Sequence, residues 1–280
     1  MNYRHAYHAG NFADVFKHLV LVRIVEYLKR KEAAFRVIDT HAGRGNYNLG
    51  GIEAGKTSEW IEGIGRLLAN RPGGEAGKLL EAYFSAIQVD DGPLEHYPGS
   101  PLIVRRLLRK QDRLSACELH PVDHEALGAL FAGDWQVRVN HLDGWLAAGA
   151  HLPPKEKRGL VLIDPPFEKE GEFERLADAL EKGDRRWPGG IYMLWYPVKA
   201  GNDREAFIEF LRSSGISDLA RIELSVREGD DGPGLSGSGL IVRNPPFKLE
   251  AEMEVVLPAL CSVLGDGQKG SWLYERLTAE

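Results

Sequence analysis

Cysteine is scarce: Cys117 and Cys261 in 280 residues make neither a disulfide framework nor a cysteine-rich metal cluster, and they suit a reducing compartment. No long apolar run opens the chain. His5, His8, Asp14 and Lys17 interrupt its first segment, which excludes a signal-peptide core or a membrane span there. Internal repeats and low-complexity tracts are absent. An excess of positive charge is missing as well: 35 Lys and Arg face 41 Asp and Glu, a net charge of −6. That balance argues against a large, non-specific nucleic-acid binder. Two local basic stretches, 29–31 (KRK) and 105–113 (RRLLRKQDR), read either as solvated helix faces or as RNA contacts. With 43% hydrophobic and 27% charged residues, what remains is an ordinary globular chain. It is expected to be cytoplasmic and free of membrane and metal, with a monomer as the simplest state.

The pattern alternates strands with helices. An opening helix is predicted over about 11–30, with Phe12, Val15, Phe16, Leu19, Val22 and Val25 on one face and Asn11 as N-cap. A short buried strand at 35–39 runs into the loop DTHAGRG. Two amphipathic segments follow, around Trp60–Leu68 and Leu79–Ile87, split by RPGG at 71–74; they read as a helical hairpin. YPGSP at 97–101 starts another helix, with Ser100 placed as N-cap and Pro101 as the first helical residue. Strands are then expected at 114–119, 137–141, 159–164 and 190–198, with helices between them. The last two, at 220–226 and 238–244, are joined as a hairpin. Such alternation implies right-handed crossovers and a parallel sheet, and the hairpin forces one antiparallel strand. The predicted fold is therefore α/β: a Rossmann-like class I methyltransferase fold, mostly parallel with one antiparallel strand. Residues 1–46 and 96–280 form the main domain, and 47–95 a small inserted helical subdomain.

Two apolar strands run into nearly the same tetrapeptide, Asp-Pro-Pro-Phe at 164–167 and Asn-Pro-Pro-Phe at 244–247. Ligands of an open parallel sheet bind beyond the carboxyl ends of its parallel strands. Asp164 ends such a strand, whereas Asn244 ends the reversed one and falls at the opposite edge. Asn244 is thus read as a turn. Asp39, Glu118, Asp143 and Asp164 each end, or closely follow, a parallel strand, which sets four acids along one rim.

That rim suits a nucleoside. Gly43 and Gly45 allow close backbone approach, but Asn48 stands where a dinucleotide fingerprint has its third glycine, which disfavours NAD. Glu118 can accept from ribose hydroxyls, Asp143 from an adenine amino group, and the Gly144 N–H can reach a ring nitrogen. The lack of a Walker lysine loop favours a nucleoside bearing a sulfonium over one bearing phosphates. At the target, Asp164 and the Pro165 carbonyl can accept from the two N–H groups of an exocyclic amine. Its lone pair is thereby aimed at a methyl donor. Phe167 can stack on the base, worth roughly 1–3 kcal/mol.

The segments 3–18 (YRHAYHAGNFADVFKH), 39–45 (DTHAGRG), 97–103 (YPGSPLI), 118–121 (ELHP), 162–168 (LIDPPFE) and 191–198 (IYMLWYPV) resemble the bacterial ribosomal RNA large subunit methyltransferase J family. The resemblance runs from Tyr3 to about Lys248. It implies a core similar to the DNA adenine-N6 methyltransferases, acting with S-adenosylmethionine on an adenine of 23S ribosomal RNA. It also implies that Lys17, His18, His41 and Ser100 line the cofactor site, with Glu118 on the ribose and Asp143 and Gly144 on the adenine ring. Asp164 stands at the reacting centre beside the cofactor, and Tyr3 faces the target nucleotide. Ser100 and Lys17 suit the cofactor's carboxylate. Two features depart from common patterns. The family's usual tetrapeptide ends in Tyr, so Phe167 keeps the stacking surface without the hydroxyl. His41 stands where the broader group of amino-methyltransferases has Phe. No role follows for the insertion beyond a platform facing RNA. His5 and His8, with no acidic or cysteine partner close by in sequence, do not make a zinc site. The rival readings are a DNA adenine methyltransferase and a non-catalytic nucleic-acid-binding or uptake protein that keeps the fold.

Overall fold

The computed structural model describes residues 5–88, 94–199, 203–227, 235–265 and 270–279. The chain opens with a 3-10 turn, His5–Tyr7, and helix α1, Phe12–Lys29. Asn11 is the N-cap, its side chain accepting from the Asp14 N–H at 3.0 Å. α1 is not the one-sided surface helix that the spacing predicts. Val15, Leu19, Val20, Leu21, Val22 and Ile24 are all fully buried, because helices and the sheet surround it.

After β1 (Arg36–Asp39) come β2 (Asn46–Asn48), α2 (Ile52–Thr57), a π turn at Ile61–Gly65, α3 (Arg66–Ala69) and α4 (Gly74–Ile87). β3 (His96–Pro98) then pairs antiparallel with β2 at the neck of this segment. α4 packs on α1, and Tyr83 reaches Tyr97, oxygen to oxygen, at 3.1 Å. The main chain resumes with α5 (Ser100–Leu107), β4 (Arg113–Glu118), α6 (Pro121–Leu130), β5 (Val137–His141), α7 (Gly144–Ala150) and β6 (Gly159–Ile163). It ends with α8 (Glu172–Arg186), β7 (Ile191–Val198), α9 (Asp203–Ser213), β8 (Leu219–Ser225), β9 (Gly237–Arg243), α10 (Leu249–Leu264) and β10 (Ser271–Arg276).

The sheet order is β10-β8-β9-β7-β6-β1-β4-β5. β5, β4, β1, β6 and β7 pair in parallel. β9 lies reversed between β7 and β8, as the hairpin requires. β10 adds a second reversed strand beside β8 that the sequence reading does not contain. Helices cover both faces, the arrangement of a Rossmann-like methyltransferase domain. The strand order turns back on either side of β1, so the crevice beyond the carboxyl ends of β1 and β6 is where a ligand belongs.

Asn244 lies at the other end. Its side-chain amide donates to the carbonyls of Pro188 at 2.8 Å and Gly190 at 2.6 Å, just before β7 begins. Asn-Pro-Pro-Phe is therefore a turn leading into α10, one sheet-length away from Asp164.

Candidate active site

A cleft of about 890 Å³ opens at the carboxyl ends of the parallel strands. It gathers the residues expected from the sequence: Lys17 and His18 from α1, His41 after β1, Ser100, Glu118, then Asp143 and Gly144, and finally Asp164, Pro165 and Phe167. Tyr3 lies outside the described residues.

β6 is buried along its whole length, which fixes the departure point of the turn that follows. Asp164 leaves it half-buried, and Lys17 Nζ donates to its Oδ2 at 2.6 Å. The same ammonium meets Asp14 Oδ1 at 2.9 Å, and His5 Nε2 lies 2.9 Å from Asp14 Oδ2. Burial alone would push the Lys17 pKa down, yet the charges of Asp14 and Asp164 outweigh it and hold it above the ordinary lysine range. Burial likewise acts to raise Asp14, but His5 and Lys17 hold its carboxyl well below the usual range. Lys17 therefore pins one oxygen of Asp164 and leaves Oδ1 for a ligand. Phe167 takes a φ of +49°, unusual for a bulky side chain and a mark of a turn held by its surroundings. Its ring meets Phe173 edge-on at 4.9 Å and Trp195 at 5.7 Å.

Across the cleft, Gly43 and Gly45 adopt φ of +61° and +80°; a Cβ on Gly43 would lie 2.2 Å from the Tyr47 hydroxyl. Two expectations are corrected here. Asp39 is not on the rim but fully buried beneath it, because the start of α5 sits on top. Ser100 is not the N-cap: Gly99 takes that place, and Ser100, the first helical residue, donates its hydroxyl to Asp39 Oδ2 at 2.7 Å. Burial pushes the Asp39 carboxyl up to about 7, partly countered by the Ser100 bond, while its Oδ1 has no partner. A folded-state carboxyl pKa above the unfolded value means that the folded protein binds the extra proton. Asp39 should therefore cost stability progressively as pH rises from about 4 to about 7, by on the order of 1.4 kcal/mol per pH unit. Urea unfolding across that window should show this slope in the wild type and a flatter one in Asp39→Asn.

Glu118 ends β4 and ties two loops together, accepting from the Gly43 N–H at 2.8 Å and the His120 N–H at 2.7 Å. Burial raises its pKa. A carboxylate has about four lone-pair sites, so acceptor capacity remains. Asp143 is the N-cap of α7, accepting from the Trp145 N–H at 3.0 Å. Gly144 has no room for a side chain: a Cβ would lie 2.3 Å from the Thr40 carbonyl and 2.6 Å from His41 Nε2. Burial lowers His41 to about 4 and His18 to about 3, so both are neutral at physiological pH. His18 is spent internally, Nδ1 to the Tyr97 hydroxyl at 2.8 Å. His8 has an acidic partner from distant sequence, Glu59, and His5 one nine residues on, Asp14. Among the described residues no group of three or more His, Cys, Asp or Glu could hold a metal ion, and no helix is long and apolar enough to cross a membrane.

Sequence reasoning missed Asp14 and Trp195. An acid amid the apolar residues of α1 was the available signal for Asp14. Trp195 lines the cleft near Lys17, 5.9 Å from the ammonium to the ring centre, and donates Nε1–H to Ser238 at 2.8 Å.

Sheet order, reversed β9 and an Asp-Pro-Pro-Phe turn at the end of β6 define a Rossmann-like methyltransferase. The family model described as "Ribosomal RNA large subunit methyltransferase D, RlmJ" matches residues 32–278. The chain belongs to this family. The ribosomal RNA large subunit methyltransferase J of Escherichia coli K12 is 43% identical over 279 residues, 98% of this chain and 99% of the relative. Its Haemophilus influenzae Rd counterpart is 42% identical over 280 residues, the full length of both. A crystal structure of a Legionella pneumophila protein matches with a TM-score of 0.86 at 37% identity, over 96% of this chain and 98% of that one.

Proposed function

We propose that the protein transfers a methyl group from S-adenosylmethionine to the N6 amino group of an adenine in 23S ribosomal RNA. The observation that carries this reading is Asp164 held through Oδ2 by Lys17, in a turn whose Pro165 and Phe167 line the same cleft as Glu118, Asp143 and Gly144. The full-length relatives are named as large-subunit ribosomal RNA methyltransferases, which supports the substrate. In this reading the enzyme acts in the cytoplasm.

The cleft fits the cofactor. Glu118 keeps lone pairs for ribose hydroxyls, Asp143 offers a carboxylate to an adenine amino group, and the missing side chain of Gly144 leaves a flat cradle beside His41. Lys17, His18, His41 and Ser100 complete the wall, Ser100 and His18 as braces and Lys17 as the anchor of Asp164. When bound, S-adenosylmethionine supplies an electrophilic sulfonium methyl. Asp164 Oδ1 and the Pro165 carbonyl accept from the target amine, which draws its lone pair out of conjugation and aims it. Once methylated, the amine sheds its proton readily, so Asp164 need not be a strong base. Phe167 stacks on the base, and the family resemblance of the N-terminal segment gives Tyr3 the role of facing the target nucleotide.

Residues 1–46 and 96–280 form the methyltransferase domain in this reading, with 47–95 as an inserted RNA-facing platform. In support, Thr57, Ser58, Glu59, Glu62 and Arg66 line one side of the cleft. Exposed Lys169, Arg175 and Lys199 line the same cleft and offer phosphate contacts. Lys199→Ala should weaken RNA binding without changing base choice, and lower the slope of log affinity against log salt by roughly 0.7–0.9. A filter-binding titration at several salt concentrations reads both.

The proposed function is tested with three substrates: 23S rRNA from cells lacking the gene, a ribosomal precursor particle from the same cells, and unmethylated duplex DNA. Transfer to either RNA form, recovered as N6-methyladenosine, is the expected result. Transfer to DNA alone would move the reading to a DNA enzyme. Transfer to none, with cofactor bound, would favour a non-catalytic protein.

A further inference from the structure

Glu172 opens α8, the helix that follows the Asp-Pro-Pro-Phe turn. It lines the cleft, yet only 4% of it is exposed, and its Oε2 is buried without a hydrogen-bond partner. The adjoining Phe173 ring meets Phe167 edge-on at 4.9 Å, so the start of α8 packs against the turn that carries Asp164. Burial raises its pKa, countered by hydrogen bonds from the Lys169 and Glu168 backbone N–H groups to the carboxyl and by the Arg175 charge; Oε2 is the oxygen left unmatched. A buried acceptor left unmatched is costly, and at the wall of a cleft it points to a ligand that brings a donor.

The chemistry of the substrate narrows that donor. Within the target nucleotide the ring nitrogens N1, N3 and N7 of adenine and the phosphate oxygens only accept, and the 3′ and 5′ oxygens are esterified. Two donors remain, the amino group and the ribose 2′-hydroxyl. In the function proposed above, on which this inference rests, the amino hydrogens go to Asp164 and the Pro165 carbonyl. The 2′-hydroxyl is left, the group that RNA has and DNA lacks. We propose that Glu172 is a specificity-determining residue whose Oε2 accepts a hydrogen bond from the 2′-hydroxyl of the target nucleotide, so that the enzyme rejects deoxyribose at that position.

The test uses one fragment of 23S rRNA in two forms that differ only by the 2′-hydroxyl of the methylated adenosine. Wild type, Glu172→Met and Glu172→Gln are compared by kcat/KM on each form, by KM for S-adenosylmethionine and by thermal unfolding. Wild type should prefer the ribose form by roughly ten- to hundredfold, the range for a hydrogen bond to a charged acceptor. Glu172→Met should bring that ratio close to one, with its melting temperature no lower than wild type and KM for the cofactor unmoved. Glu172→Gln, which keeps a carbonyl acceptor, should restore part of the preference. Equal wild-type rates on both forms would overturn the role while leaving the proposed function standing. So would a Glu172→Met loss of the same factor on both forms, which would mark a residue that only shapes the turn. A raised KM for S-adenosylmethionine would overturn it by giving Oε2 to the cofactor. No wild-type transfer to either form would overturn the proposed function and this role together.

Discussion

Lys17→Met should lower folding stability by about 3–5 kcal/mol, the range for stripping one partner from a buried ion pair, and should remove methyl transfer. The ammonium bridges Asp14 and Asp164 and is 5% exposed, so methionine leaves the 1%-exposed Asp14 carboxylate with His5 as its remaining close partner. The acid response through Asp14 should also weaken. In the wild type the Asp14 pKa is depressed, so its contribution is full above the unfolded pKa near 4 and fades as pH falls through the folded value. Without Lys17 the Asp14 carboxyl loses one of the charges that depress its pKa while His5 remains, so the stability lost through that group as pH falls should be smaller in the variant. Urea unfolding at a series of pH values measures both effects. A variant as stable as wild type at pH 7 would show that the bridge carries no weight.

Asp164→Asn should reduce kcat by roughly 10²–10³-fold or more, the scale for losing one preorganised hydrogen-bonding group. The substitution is harsher than its size suggests. Lys17 Nζ has only hydrogens to offer, so the single oxygen of the new side-chain amide must turn towards it. The amide NH₂ then faces the target amine, donor against donor. Since Lys17 keeps Asp14 and a carbonyl partner, stability should change far less than in Lys17→Met. Single-turnover rates at saturating cofactor separate this loss from weaker binding.

The end of the sheet that carries the candidate cleft was legible because an apolar run ends in Asp-Pro-Pro and strand direction decides which end of the sheet it faces. The alternation of strands and helices showed β9 as the reversed strand for the same reason. Contacts across long separations were not legible. Lys17 and Asp164 are 147 positions apart, and nothing local in either segment names the other. For Asp39, the strand end was correct but the depth was not, since its burial depends on where α5 is seated. Ser100 shows how a one-residue shift of a helix start converts a cap into a brace for a carboxyl. Glu172 sits in the charged run EKEGEFER, which gives no sign that one of its acids turns inward. α10 carries Pro258 inside it, and β10 is a partly exposed edge strand. Both patterns are weak in sequence even where the fold is regular.

The central claim is that Asp164, and not its echo at Asn244, is where the methyl group is transferred. The measurement is a parallel assay of wild type, Asp164→Asn and Asn244→Gly with labelled S-adenosylmethionine and protein-free 23S rRNA, followed by digestion to nucleosides. Glycine suits the left-handed backbone at position 244, where φ is +53°. Label should appear as N6-methyladenosine with wild type and Asn244→Gly and vanish with Asp164→Asn. Label that survives in Asp164→Asn, or that vanishes only in Asn244→Gly, would contradict the account.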